Sequence, residues 1–141
     1  IGTIRTFDTT MRSTLHKRFR EIATGIAESA GAKAELNIET VYPVTYNHIA
    51  LTEKMAPSLR KAIGEHNVIL QKAETGAEDF SFFQQKVPGL YFNLGGKPKN
   101  QAADKAAPHH TPDFFIDESG FVLGVKAFCY LTLDYMNAPL K

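Results

Sequence analysis

The sequence predicts an α/β chain, and three observations carry that expectation. Apolar alternation with a period of two, or short continuous apolar runs, recur at 3–7, 34–46, 67–71 and 89–96. Between and after them lie stretches whose apolar residues are three and four apart. Glycines, prolines and polar clusters punctuate the joins.

"TIRTF" (3–7) has the β-branched alternation of a strand. A helix follows, with Asp8 or Thr9 as its N-cap and Gly31 at its end. Met11, Leu15, Phe19, Ile22 and Ile26 form its apolar stripe, and Arg12, Lys17, Arg18 and Arg20 its solvated face. "AELNIETVYPVTY" returns to a period of two, with Leu36 and Ile38 on one face and Glu35, Asn37 and Glu39 on the other. Strand, amphipathic helix and half-exposed strand make half of a split α/β sandwich, an α+β fragment.

The character changes near residue 47. Leu51, Met55, Leu59 and Ile63 mark a second helix, with Pro57 near its start. "NVILQ" (67–71) and "GLYFNLGG" (89–96) read as buried strands, and 76–86 as a loop running into a short helix. The stretch 97–112 has no periodicity and reads as a long exposed loop. A last helix runs from Asp117, its N-cap, to about Met136, burying Phe121, Val125, Phe128 and Leu131. The domain boundary therefore falls at 47, between 1–47 and 48–141.

Composition narrows the function classes. The 141 residues are 43% hydrophobic and 22% charged, an ordinary globular balance. A net charge of +1 gives no electrostatic case for nucleic acid or an anionic membrane. Cys129 has no partner for a disulfide and sits on an apolar stretch, where it reads as a small buried hydrophobe. With no visible leader and no apolar run of membrane length, a cytoplasmic protein is expected. The start at Ile1 rather than Met leaves room for a processed or truncated piece.

Four features could carry chemistry. In "PHHTPDFFIDE" (108–118), His109 and His110 follow a buried strand that ends in Gly-Gly, where α/β sheets collect ligands. A neutral imidazole there suits a divalent metal, but a catalytic zinc needs about three protein ligands, and no HExxH, CxxC or acid–histidine cluster supplies the others. By itself the pair reads first as solvated loop residues, with the metal-ligand reading set against that. Glu78 and Asp79 in "TGAEDF" read either as acids at a helix start or as a substrate-side loop in which Gly76 lets the backbone approach a ligand. Arg5 either reaches solvent from an edge strand or pairs with an anionic group. Asp117 and Glu118 read as helix-capping acids, and His16, His48 and His66 have no assigned role.

Five blocks then stand in a telling order: "GTIRTFD", "YPVTYN", "GAEDFSFF", "PGLYFNLGG" and "HTPDFFIDE". Together they resemble the C-terminal part of the two-metal amidohydrolases that include hippurate hydrolase, N-acyl-amino-acid amidohydrolases and related aminoacylases and carboxypeptidases. The resemblance covers nearly the whole chain. It implies that 1–47 is the second half of a lid or dimerisation domain, and that 48–141 is the C-terminal part of an α/β metallopeptidase catalytic domain with a mixed sheet. It implies that His110 is a metal ligand, with His109 its loop neighbour. Arg5 matches a position that meets the substrate carboxylate, and Gly76, Glu78 and Asp79 match a loop bordering the substrate.

The family's general base and its other ligands lie in an N-terminal half that this chain lacks, so no catalytic residue falls within it. The resemblance implies two divalent ions in the intact enzyme (zinc, cobalt, manganese or nickel), with the site incomplete here. The implied substrate is an N-acyl amino acid or small peptide. The implied partners are the missing N-terminal half and a second copy in a homodimer. By itself the segment should be catalytically silent. A non-catalytic interaction module, pairing through the exposed strand in "AELNIETV", stands as the alternative.

Overall fold

The structure, a computed structural model, describes residues 1–138 and divides into two compact units. The first comprises 1–47 and 72–89, and the second 48–71 and 90–141.

In the first unit, α1 runs from Thr9 to Ser29. Asp8 caps it, its carboxylate accepting from the Met11 N–H at 2.5 Å, and so satisfies one of the donors a helix start leaves open. The far end closes on Gly31, whose φ of 68° suits a residue without a side chain. There the Ala32 N–H reaches the Ala27 carbonyl at 2.8 Å and the Gly31 N–H reaches that of Glu28 at 3.0 Å. The expected apolar stripe forms but is not covered: Met11, Leu15, Phe19, Ile22 and Ile26 are all exposed. The contacts come instead from two arginines beside the stripe, while Lys17 and Arg18 remain exposed as expected. Arg12, expected on a solvated face, is half-buried and donates to the Tyr42 carbonyl at 3.3 Å, while Arg20 donates to that of Leu36 at 2.8 Å.

Those contacts have a backbone cause. The expected strands at 3–7 and 34–46 join no ladder among the described residues. A carbonyl without a neighbouring strand still needs a donor, and guanidinium groups on α1 supply it. The period of two survives as burial, with Leu36 and Ile38 half-buried and Glu35, Asn37 and Glu39 exposed. A short helix, α3, spans Phe80–Gln84. Its Ser81 is fully buried and donates through Oγ to the Glu78 carbonyl at 2.6 Å.

In the second unit, α2 (Ile49–Ile63) packs on α4 (Phe121–Asn137). Leu59, Ala62 and Ala127 form the buried centre, with Ile63, Val68, Leu90 and Leu131 packed against it. His48, to which the sequence assigned nothing, caps α2: its Nδ1 accepts from the Leu51 N–H at 3.3 Å. Pro57, expected near the helix start, lies within the helix, on an exposed side where water can serve the carbonyl its ring leaves unpaired.

Burial on α4 departs from expectation. Phe121, Val125 and Phe128 are exposed, Leu131 is half-buried, and the buried residues are the small Gly124 and Ala127. Ala127 packs in the core with Leu59 and Ala62 of α2, and Gly124 faces Leu94, where a Cβ would stand 2.9 Å from Leu94 Cδ2. Cys129, expected buried, is exposed: it falls on the side of α4 away from the α2 contact.

The runs expected as buried strands at 67–71 and 89–96 also form no ladder among the described residues, so the mixed sheet is not formed there. Ile69 and Leu70 are 81% and 100% exposed, which excludes a buried strand at 67–71 in this structure. Apolar content marks a segment that can be covered; a sheet exists only where a second strand pairs with it. The loop at 97–112 is tied to itself rather than structureless. It contains a short 3-10 turn at Ala103–Lys105, and the Lys97 ammonium donates to the Pro98 and Gln101 carbonyls.

Candidate functional site

The sequence-derived site residues fall into two groups, one in each unit. In the first unit, Arg5 is exposed and its Nη1 donates to the Thr75 carbonyl at the long distance of 3.5 Å, leaving most of the guanidinium available. Arg5 and Gly76 line one concavity of about 150 Å³, together with Arg12, His16, Glu39 and Glu74. Two guanidinium groups and two carboxylates leave it without a strong net sign, and apolar side chains such as Ile4, Phe7, Val41 and Val44 make up much of the rest of its lining.

Thr45 Oγ1 also lines it, buried and without a hydrogen-bond partner among the described residues. A Cβ on Gly76 would meet nothing within 4 Å, so internal packing does not require a glycine there. Glu78 and Asp79 hold the start of α3 through their main chains, the Asp79 carbonyl accepting from Phe82 N–H at 3.0 Å. Asp79 stands at the cap position of α3 without a side-chain capping bond.

Arg12, His16, Glu39, Thr45 and Glu74 line the concavity without having been singled out from the sequence, and only for Arg12 and His16 was a signal present. Their spacing of four on one helix, directly after the Arg5 segment, was the available signal.

In the second unit, His110 sits on a turn closed by its own residues. Thr111 Oγ1 donates to the Pro108 carbonyl at 2.7 Å, and the Phe114 N–H to that of Thr111 at 3.1 Å. The His109 ring meets Phe114 edge-on, with centroids 4.7 Å apart. His110 itself has φ 63°, the one described non-glycine residue with a positive φ, in a region that an L-residue adopts only under restraint. Its ring is exposed and makes no hydrogen bond among the described residues.

The turn is anchored below. The Asp117 N–H donates to the Gly96 carbonyl at 2.7 Å, and the two glycines lie close beneath 116–120. A Cβ on Gly96 would stand 3.2 Å from Ile116 Cγ2, and one on Gly120 would stand 3.2 Å from the Gly95 carbonyl. Asp117 caps the turn before α4: its carboxylate accepts from the Ser119 N–H at 2.9 Å, and that bond holds its pKa below the ordinary value.

An exposed imidazole without a hydrogen bond suits a metal in its neutral form. No group of three or more His, Cys, Asp or Glu side chains able to hold a metal ion exists among the described residues. His110 is thus an exposed imidazole with no further ligands gathered beside it among the described residues.

The sequence pattern that defines the peptidase family M20/M25/M40 matches residues 5–134, almost the whole chain. The chain belongs to that family. Its similarity extends to thermostable carboxypeptidase 2 of Saccharolobus solfataricus (35% identical, covering 96% of this chain and 34% of that protein). It is also similar to the putative amidohydrolase YhaA of Bacillus subtilis (31% identical, 96% and 34%). A third relative is N-acetyldiaminopimelate deacetylase of Streptococcus sanguinis (32% identical, 89% and 31%). The chain thus spans about a third of the length of the curated relatives it matches. No solved structure matches it. The relatives' names are those of hydrolases, which supports membership of an enzyme family, and M20 membership supports an α/β fold class. No described helix is long and apolar enough to cross a membrane.

Proposed function

We propose that this chain is part of a metal-dependent hydrolase that cleaves the amide bond of N-acyl amino acids or small peptides. The observation that carries the reading is the M20 match over 5–134, joined to relatives named for amidohydrolase, carboxypeptidase and deacetylase activity. In this reading His110 is one ligand of a two-ion site whose other ligands come from outside residues 1–141. The described residues do not fit a complete metal site, and no catalytic step is assigned to them.

Arg5 then orients the substrate, its planar guanidinium matching a carboxylate through paired hydrogen bonds. The open side of Gly76 leaves the 74–77 backbone accessible beside it. Residues 1–47 act as the second half of a lid or dimerisation domain, and 48–141 as part of the catalytic domain.

An assay of residues 1–141 with hippurate, N-acetyl amino acids and dipeptides, each with Zn²⁺, Co²⁺, Mn²⁺ or Ni²⁺, should show no turnover. A polypeptide that also carries the length its relatives possess should hydrolyse at least one of them. In that longer protein His110→Ala should abolish turnover. Arg5→Ala should raise KM by about tenfold or more for substrates with a free carboxylate, the expected loss of a charged hydrogen bond. Turnover by 1–141 alone, or an active longer protein indifferent to His110→Ala, would contradict the proposal.

A second reading, a non-catalytic pairing module, draws on one observation: the exposed apolar stripe of α1. It predicts self-association without hydrolysis in any longer form.

A further inference from the structure

The turn that carries His110 raises a question its neighbour answers. A histidine at φ 63° occupies a backbone region that costs free energy and persists only where the surroundings fix it. Two hydrogen bonds close the turn, from Thr111 Oγ1 to Pro108 and from Phe114 N–H to Thr111. The first brackets residues 109 and 110 and so restrains the peptide between them, but neither bond involves a histidine ring.

A further restraint, and one that acts through a histidine ring, is the edge-on contact of His109 with Phe114, at 4.7 Å between centroids and 63° between planes. The two histidine rings stand 6.4 Å apart with 67° between their planes, an edge-type contact that links the orientation of the exposed His110 ring to that of His109.

We propose that His109 is a positioning residue: through Phe114 it holds the turn in the left-handed conformation that presents the His110 imidazole. It acts as an aromatic anchor and not as a second ligand. The consequence for metal binding rests on the reading of His110 given above; the conformational claim does not.

The two are separated by NMR on residues 1–141. In the wild type, His109 ring protons should be shifted upfield by the Phe114 ring, and His110 should give the strong intraresidue HN–Hα cross-peak that a positive φ produces. Phe114→Ala should remove the first signal and weaken the second. His109→Ala should weaken the His110 cross-peak, and His109→Phe, which keeps an aromatic edge against Phe114, should restore it.

Added Mn²⁺ should broaden His110 ring signals equally in the wild type and in His109→Phe. Persistence of the His110 cross-peak at full strength in His109→Ala overturns the proposal. So does loss of the Mn²⁺ effect in His109→Phe with the cross-peak intact, since His109 would then be a ligand. If Mn²⁺ leaves His110 untouched in the wild type while the cross-peaks behave as stated, the positioning role stands, and the metal-ligand reading is decided by His110→Ala in the longer protein.

Discussion

Asp8 and Asp117 start helical segments by the same local chemistry, a short carboxylate bound to a backbone N–H two or three residues on. Because that chemistry needs only neighbouring residues, Asp8 was legible as a helix cap. Asp117, expected to cap the last helix, instead caps the 3-10 turn Glu118–Gly120, and α4 begins after it at Phe121. His48 does the same work for α2 through Nδ1, and it was not legible, since imidazole is outside the usual set of capping side chains. The Asp117 bond also makes a pH-dependent contribution. Its carboxyl titrates below the ordinary 3.8, chiefly through the Ser119 N–H bond. A lowered folded-state pKa stabilises above the unfolded value and loses that effect as pH falls through the folded one. The stability difference between wild type and Asp117→Asn, followed by denaturant unfolding, should be constant near neutrality and shrink below pH 3.8. A difference that grows with acidity would show that the bond has another origin.

The helices themselves were readable from spacing, but the face each one buries was not. Periodicity identifies an apolar stripe on α1, yet the contacts are made by Arg12, half-buried, and Arg20, exposed, which donate to the carbonyls of Tyr42 and Leu36. On α4 the apolar residues run nearly all the way round, so a period of three and four could not choose a side. Shape chose it, through Gly124 and Ala127. Sheet pairing was illegible for a different reason: alternation describes one segment, and a ladder is a property of two. Stability at this scale centres on the contact of α2 with α4. Leu59 is 7% exposed, so Leu59→Ala should cost about 2–5 kcal/mol, including the cavity it leaves. Gly31→Ala, which places a Cβ on a left-handed residue, should cost roughly 1–2 kcal/mol. Urea denaturation read by circular dichroism measures both; a Leu59→Ala variant as stable as wild type would remove the α2–α4 core from the account.

For the chain as a whole, the ordered blocks from "GTIRTFD" to "HTPDFFIDE" made the family legible, because short motifs in fixed order survive where pairing partners cannot be read. The site was legible only in part. The motif before Thr-Pro singles out His110, while the donors that would complete a metal site are not among the described residues. The same incompleteness shows in the apolar surface. Met11, Phe19, Ile22 and Ile26 on α1, and Val122, Val125 and Met136 on α4, are exposed. Apolar stripes of this extent favour association in water. Sedimentation velocity of residues 1–141 should therefore show dimers or larger species, and Phe19→Glu with Ile22→Glu should shift the distribution toward monomer. A monodisperse monomer for the unsubstituted chain would count against the association.

The central claim is that this M20 chain contributes His110 to a hydrolytic metal site that it does not complete. Hydrolysis of N-acyl amino acids and dipeptides in the presence of divalent ions tests it most directly, comparing residues 1–141, a longer polypeptide of the relatives' length, and that polypeptide with His110→Ala. The account predicts activity in the second alone. Turnover by 1–141, or full activity after His110→Ala, would contradict it.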